Sequence, residues 1–229
     1  MKSSAWLPSF FILRLESFMV LSLFHFLLFA FSQIATPGPA NMIMLATGAK
    51  YGFRNAVPFV FGVIIGKQII IWPIGFGLML LNKEYPYIFT FFKYISAGYI
   101  LWLAWRIANM RIFAKTSDRP APGFFSGLIV HPLNPKAWAL ITTGFTNFVD
   151  PTSPVLKSTA TVALCLFGVQ LVCHPVWTLF GERIAILVSG SVYERYLMLC
   201  FAAITVIFVS LAITPVSYTH LTLPTIYSV

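Results

Sequence analysis

The sequence predicts an all-α membrane protein with six transmembrane helices, arranged as two inverted three-helix repeats. Hydrophobic residues make up 59% of the 229 residues and charged residues only 9%, a composition typical of polytopic membrane proteins. Apolar runs of about 20 residues, the length a helix needs to cross a bilayer, alternate with short polar connections. Proline-containing segments interrupt two of these runs, at 36–41 and at 131–136. We therefore expect the first and fourth helices to be broken.

The predicted spans follow the apolar runs along the chain. They are residues 18–36, 56–81, 86–108, 124–148, 156–180 and 197–215, and a short segment 41–50 follows the first break. Polar residues predict connections around Gly52, at the hairpin 82–84, at 150–154 and over 181–195. Residues 109–123 form the one long basic connection, which we interpret as the hinge between the two halves.

The two halves are predicted to form a repeat with opposite orientations in the membrane. Each half contains three spans, and an odd number inverts the second half relative to the first. Residues 19–108 form the first repeat and residues 124–215 the second. Aligning the two breaks also pairs Gly62 with Gly168. The matched position of the breaks is the stronger of these signals.

The two ends of the chain differ in character from the spans. Residues 1–18 are mixed in composition and are interpreted as an N-terminal extension, because Met19 is a natural start for the first span. Residues 216–229 are polar and resemble translated adapter sequence. We expect them to be a non-native tail without tertiary contacts, since they have no apolar face to bury.

The net charge of +9 favours an orientation in the membrane rather than nucleic-acid binding. Basic residues fall singly or in small groups between apolar runs, as the positive-inside rule describes. They are more frequent after the first, third and fifth spans than on the opposite side. This bias places the loop 109–123 in the cytoplasm and the N-terminus outside, with the lipid bilayer as partner. The residues counted on the cytoplasmic side are Lys50, Arg54, Arg106, Arg111, Lys115, Arg119, Arg183 and Arg195.

The two breaks are the predicted substrate site. Prolines lack an N–H group, and the carbonyls they free at membrane depth must find partners in protein or line a cavity. Discontinuous helices bind substrate in many secondary transporters, and a helix N-terminus favours a carboxylate. The alternative is a kink that serves packing alone. The candidate substrate-binding residues are Thr36, Pro37, Gly38, Pro39 and Asn41 in the first break and Asn134, Pro135 and Lys136 in the second.

Lys67 is the third candidate for substrate binding. It lies near the middle of the predicted span 56–81, where a charge costs at least a few kcal/mol and marks a functional site by default. Its ammonium could attract a substrate carboxylate, or the buried amine could itself titrate. The alternatives are a lysine in a water-filled crevice or a span whose limits are misdrawn.

His174 is the candidate proton relay, because it lies inside a span beside Pro175 and one turn from Gln170. A histidine that packs against a neighbouring carbonyl is the alternative. The three cysteines lie in apolar runs and are interpreted as small hydrophobic residues. No span contains clustered His, Asp or Glu at ligand or catalytic spacing. The sequence therefore predicts no metal, no cofactor and no catalytic residue.

Three segments carry a resemblance to a known family. They are TPGPANMIMLATGAKYGFRNAVPFVFGVIIGK, FFKYISAGYILWLAWRIA and FFSGLIVHPLNPKAW. With them the chain, from Met19 to about Thr214, resembles the LysE/RhtB family of bacterial amino-acid exporters. It resembles most the branch linked to cysteine and O-acetylserine export. One position departs from the pattern: many members have an acidic residue just after the second-span glycines, where this chain has Lys67.

The resemblance implies a secondary transporter in the bacterial inner membrane that exports amino acids or their derivatives. The driving force would be an ion gradient, and we expect protons. A membrane channel and a non-transporting membrane assembly protein are the alternatives. The exported amino acid, the coupling ion and a homo-oligomeric state stay open.

Overall fold

The computed structural model describes residues 23–77, 84–111, 120–150, 153–188 and 190–213. Their regular structure is entirely helical, which confirms the all-α prediction for this part of the chain. The extension 1–18, most of the hairpin 82–84 and the tail 216–229 lie outside it. The helices are α1 (Leu23–Ala35), α2 (Pro39–Tyr51), α3 (Phe53–Gly75), α4 (Pro86–Ala108), α5 (Phe124–Leu128), α6 (Pro135–Phe148), α7 (Val155–Val188) and α8 (Val192–Ile213).

Among the described residues, three helices are long and apolar enough to cross a bilayer: α3, α7, and α8 over Val192–Ser210. The helix α1 is apolar but shorter. These helices make the chain a multi-pass membrane protein. The six-helix inverted repeat and its boundaries at 19–108 and 124–215 stay predictions.

Both predicted breaks are present as interruptions between helices. Residues 36–38 separate α1 from α2, and residues 129–134 separate α5 from α6. In each case the next helix begins with a proline, Pro39 or Pro135. Proline is favoured at this position because its missing N–H would have no helical partner and its φ suits a helix.

The fifth and sixth spans differ from their predicted limits. The sequence predicts a span at 156–180 and a polar connection over 181–195, but α7 continues to Val188 and α8 begins at Val192. The predicted connection was wrong for a physical reason. Glu182 and Arg183 are good helix formers, and Gly181 before them packs directly on α2. A tertiary contact therefore carries the helix past the charged residues.

The second span also ends earlier than predicted. Its helix, α3, stops at Gly75 rather than at residue 81. Gly77 follows with φ of 99°, a left-handed conformation that glycine adopts without strain and that terminates helices. Lys67 consequently lies nearer the C-terminal end of its helix than the sequence predicts. The connection before α3 is a single residue, Gly52, with φ of 76°.

Glycines bring helix backbones into direct contact at two crossings. A Cβ atom on Gly62 or Gly66 of α3 would collide with the carbonyl oxygens of Phe124 or Leu128 of α5, and one on Gly127 with that of Phe59. At the second crossing, Gly48 of α2 and Gly181 of α7 each pack on the backbone of the other helix. Such small residues permit the close packing that drives helix association in lipid.

The two glycines that the proposed repeat pairs have different packing environments. Gly62 is in backbone contact with α5, whereas a Cβ on Gly168 would meet open space. The pair Gly62 and Gly168 therefore gives no structural support to the repeat.

Replacement of Gly66 by alanine should lower the stability of the folded protein. The added methyl group has to displace the backbone of Leu128, and overpacking of this kind costs about 1–3 kcal/mol. Gly168→Ala is the matched control, because its methyl group enters open space. The melting temperature of the detergent-purified protein measures both. Equal melting temperatures for the two variants would contradict the contact.

Candidate substrate-binding site

The first break is closed by the side chain of Asn41. Its Nδ2 donates to the carbonyl oxygens of Ile34 at 2.7 Å and Thr36 at 2.8 Å. These carbonyls belong to the end of α1 and its first following residue, where no helical partner is left. Asn41 is buried, and both of its amide hydrogens are used in this way. Its predicted role in substrate binding is therefore joined by a structural one.

The second break is closed by Asn134, which caps α6. Its Oδ1 accepts a hydrogen bond from the backbone N–H of Lys136 at 3.1 Å. The indole Nε1 of Trp138 donates to the carbonyl of Pro132 at 2.9 Å, which occupies one more backbone group of the break. By contrast, the N-terminus of α2 has no side-chain cap. The two helix starts thus differ, and only that of α2 keeps uncapped first-turn amides.

Lys136 joins the two breaks. Its Nζ donates to the hydroxyl of Thr36 at 2.9 Å and to the carbonyl of Pro37 at 3.2 Å. Gly38 leaves room for this lysine, since a Cβ there would come within 3.2 Å of its side chain. The structure therefore places the breaks side by side.

A cavity lies between the breaks, with about 320 Å³ of empty space that includes its open mouth. Six of the predicted site residues line it, and three others, Thr36, Pro37 and Pro39, belong to the break beside it. Pro135 stands at the start of α6 between two lining residues. The lining residues are Gln33, Ile34, Gly38, Ala40, Asn41, Lys67, His131, Asn134, Lys136, Ala137, Leu140 and His174.

Lys67 reaches this cavity from α3. The residue is only 2% exposed. Within the described part of the chain, no hydrogen bond or ion pair reaches its ammonium group, whereas Lys136 has two oxygen partners. A buried charge without a partner is costly at membrane depth. A protonated Lys67 is therefore the group in the cavity that would gain most from an anionic ligand.

A buried cluster of two histidines and a glutamine adjoins Lys67. His131 Nε2 lies 3.3 Å from His174 Nε2, and Gln170 Nε2 lies 3.0 Å from His174 Nε2. The Nδ1 atoms of both histidines are buried without a hydrogen-bond partner. The described residues hold no group of three or more His, Cys, Asp or Glu that could bind a metal ion.

His131 and Gln170 are the site residues that sequence reasoning missed. Gln170 and His174 are one turn apart on α7, so their spacing already indicated a shared face. His131 stands at the start of the second break, but its contact with His174 spans 43 residues. No local pattern predicts that pairing.

A second cavity lies at the other end of α2 and α3, with about 890 Å³ of empty space including its mouth. Aromatic residues Tyr51, Tyr99 and Trp102 line it, together with Arg106, whose guanidinium stacks 4.9 Å from the Trp102 ring centre. Pro120 and Pro122 of the basic connection also line it. This cavity therefore lies on the side of the loop 109–123.

Residues 31–214 match the family model of the LysE type translocators. The chain belongs to this family. Translocators move solutes rather than transform them, so the chain is a membrane transporter and not an enzyme. The predicted family is thereby confirmed.

Curated relatives of this translocator are named as efflux proteins. A cysteine/O-acetylserine efflux protein of Salmonella choleraesuis is 29% identical over 64% of this chain and 75% of its own length. One of Klebsiella pneumoniae is 27% identical over 69% and 80%. A homoserine/homoserine lactone efflux protein of Salmonella typhimurium is 26% identical over 79% and 90%. No solved structure matches the chain with statistical significance.

Asn41→Ala should destabilise the translocator more than Asn55→Ala does. Both side chains donate to backbone carbonyls, but the bond of Asn41 to Ile34 of α1 is buried, whereas the 2.9 Å bond of Asn55 to Tyr51 is exposed. Each buried carbonyl left unpaired costs about 1–3 kcal/mol, whereas water replaces the lost partner at the exposed position. Melting temperatures in detergent measure the difference. Equal losses would show that Asn41 does not hold the break.

Proposed function

We propose that this translocator exports amino acids or their derivatives across the bacterial inner membrane as a secondary transporter coupled to the proton gradient. The observation that carries the proposal is the buried amine of Lys67, which has no hydrogen-bond or ion-pair partner among the described residues, in a cavity between two helix breaks. The names of the efflux relatives support the solute class.

The substrate carboxylate would bind between Lys67 and the start of α2. Ala40 and Asn41, in the first turn of α2, line the same cavity as Lys67. First-turn N–H groups have no partner within their helix and point along its positive end. The absence of a side-chain cap leaves this helix end for a ligand. The ammonium and the helix end would thus hold the same anionic group.

The second cavity supports a route from the cytoplasm. It lies beside the loop 109–123, which the positive-inside rule places in the cytoplasm. Phe59 of α3 lines it, and Lys67 lies roughly 12 Å further along the same helix. Buried apolar residues, Met44 of α2, Val63 of α3 and Val130 of the second break, belong to one cluster, and Val63 lies between Phe59 and Lys67 along α3. A solute would have to pass this layer, as alternating access requires.

The histidine cluster supports proton coupling. Nε2 atoms 3.3 Å apart can share one proton between the rings of His131 and His174. Both rings are buried, and His131 and His174 line the cavity with Lys67. Protonation of the pair and occupation of the cavity would therefore influence each other.

Purified protein in proteoliposomes should show saturable counterflow of at least one of cysteine, O-acetylserine and homoserine. A carrier exchanges labelled solute for unlabelled solute on the other side, and an imposed pH gradient should drive accumulation. Protein-free liposomes are the control. A flux that neither saturates nor responds to solute on the other side would indicate a channel, and the absence of any flux a non-transporting protein.

Lys67→Met should lower counterflow at least tenfold. Methionine is a close match to the lysine side chain in length but removes the charge that is expected to hold the carboxylate. Lys157→Met is the matched control, because Lys157 is exposed in the first turn of α7. Yield and melting temperature confirm folding of both variants. Unchanged transport by folded Lys67→Met would assign this lysine a passive role.

A further inference from the structure

In the described part of the chain, the cavity between the breaks is lined by basic residues without acidic ones. Lys67 and Lys136 both line it, and the oxygen partners of Lys136 are a hydroxyl and a carbonyl, which carry no charge. No Asp or Glu is among the lining residues that the structure describes. The acidic residues of the whole chain number only six, and they are Glu16, Glu84, Asp118, Asp150, Glu182 and Glu194.

A zwitterionic amino acid fits this lining less well than an anion does. Its carboxylate could pair with a protonated Lys67, but its α-ammonium lies within the same few ångströms and would enter a site lined by two lysines. Like charges at such distances repel strongly where water is excluded. The described lining offers the α-ammonium only neutral acceptors, such as the Oδ1 of Asn41, and the Oδ1 of Asn134 is already engaged. Repulsion of this kind gives a site its selectivity.

We propose that the cavity selects amino-acid derivatives with a net negative charge. Acylation of the α-amine removes the repelled group, and a second carboxylate gives Lys136 a charged partner. Both routes end in the same chemistry, a substrate whose negative charges outnumber its positive ones. This inference rests on the proposed export function and on Lys67 as the carboxylate-binding group.

The test compares four labelled probes in proteoliposomes that contain the full chain. Serine is the zwitterion, N-acetylserine and aspartate carry a net negative charge by the two routes, and lysine carries a net positive charge. We expect kcat/KM for N-acetylserine or aspartate to exceed that for serine at least tenfold, and lysine not to be transported. The better of the two anions identifies whether a blocked amine or a second carboxylate is preferred.

Variants connect the preference to the cavity. Lys67→Gln should reduce transport of the preferred anion at least tenfold and lower the ratio of its kcat/KM to that of serine. Lys157→Gln, at the exposed start of α7, should change neither the transport nor the ratio. If Lys67→Gln does not fold, the four probes with the unaltered chain still decide the matter.

Two results would overturn the inference, and they are distinguishable. Transport of serine or lysine as fast as that of both anions would refute the charge preference and leave the export function intact. Absence of transport for these four probes and for cysteine, O-acetylserine and homoserine would refute the export function as well.

Discussion

Backbone groups freed by the two helix breaks must be paired inside the protein, because the hydrocarbon region has no water to pair them. The Nδ2 of Asn41 donates to carbonyls at the end of α1, and the Oδ1 of Asn134 accepts from an N–H at the start of α6. Lys136 then donates from the second break to the carbonyl of Pro37 in the first. The second break therefore completes part of the first, and the two lie side by side. The cavity between them is a consequence of this pairing.

The glycine contacts fix the position of Lys67 relative to the second break. Gly66 lies against the backbone of Leu128, the last residue of α5, directly before the break begins. Lys67 is the next residue along α3, so it reaches the same level as His131. A larger residue than glycine would hold α3 away from α5 and remove the lysine from the cavity. Close helix packing, the main source of association in lipid, therefore also arranges the site.

The sequence predicts the features that local signals determine, and it does not predict those that depend on tertiary contacts. Prolines predict the breaks, because they disrupt a helix in any context. A lysine inside an apolar run predicts a site, because its charge is costly anywhere at membrane depth. The cap that Asn41 gives to α1 depends on the direction of two carbonyls, which no spacing specifies. The pairing of His131 with His174 and the extension of α7 past Gly181 depend on contacts between distant segments. Helix propensity and hydropathy carry no information about such contacts.

An unpartnered ammonium at membrane depth costs a few kcal/mol, and a neutral side chain of similar size would avoid this cost. A ligand carboxylate offsets this cost while it is bound, so the cost of the empty site favours the binding of an anion. The net charge of the substrate determines how much the membrane potential contributes to its export. An anion that leaves a cell with a negative interior gains about 2.3 kcal/mol per charge for each 100 mV of membrane potential, whereas a zwitterion gains nothing. Under the proposed proton coupling, the histidine pair would matter most for neutral substrates, because the membrane potential contributes nothing to their export.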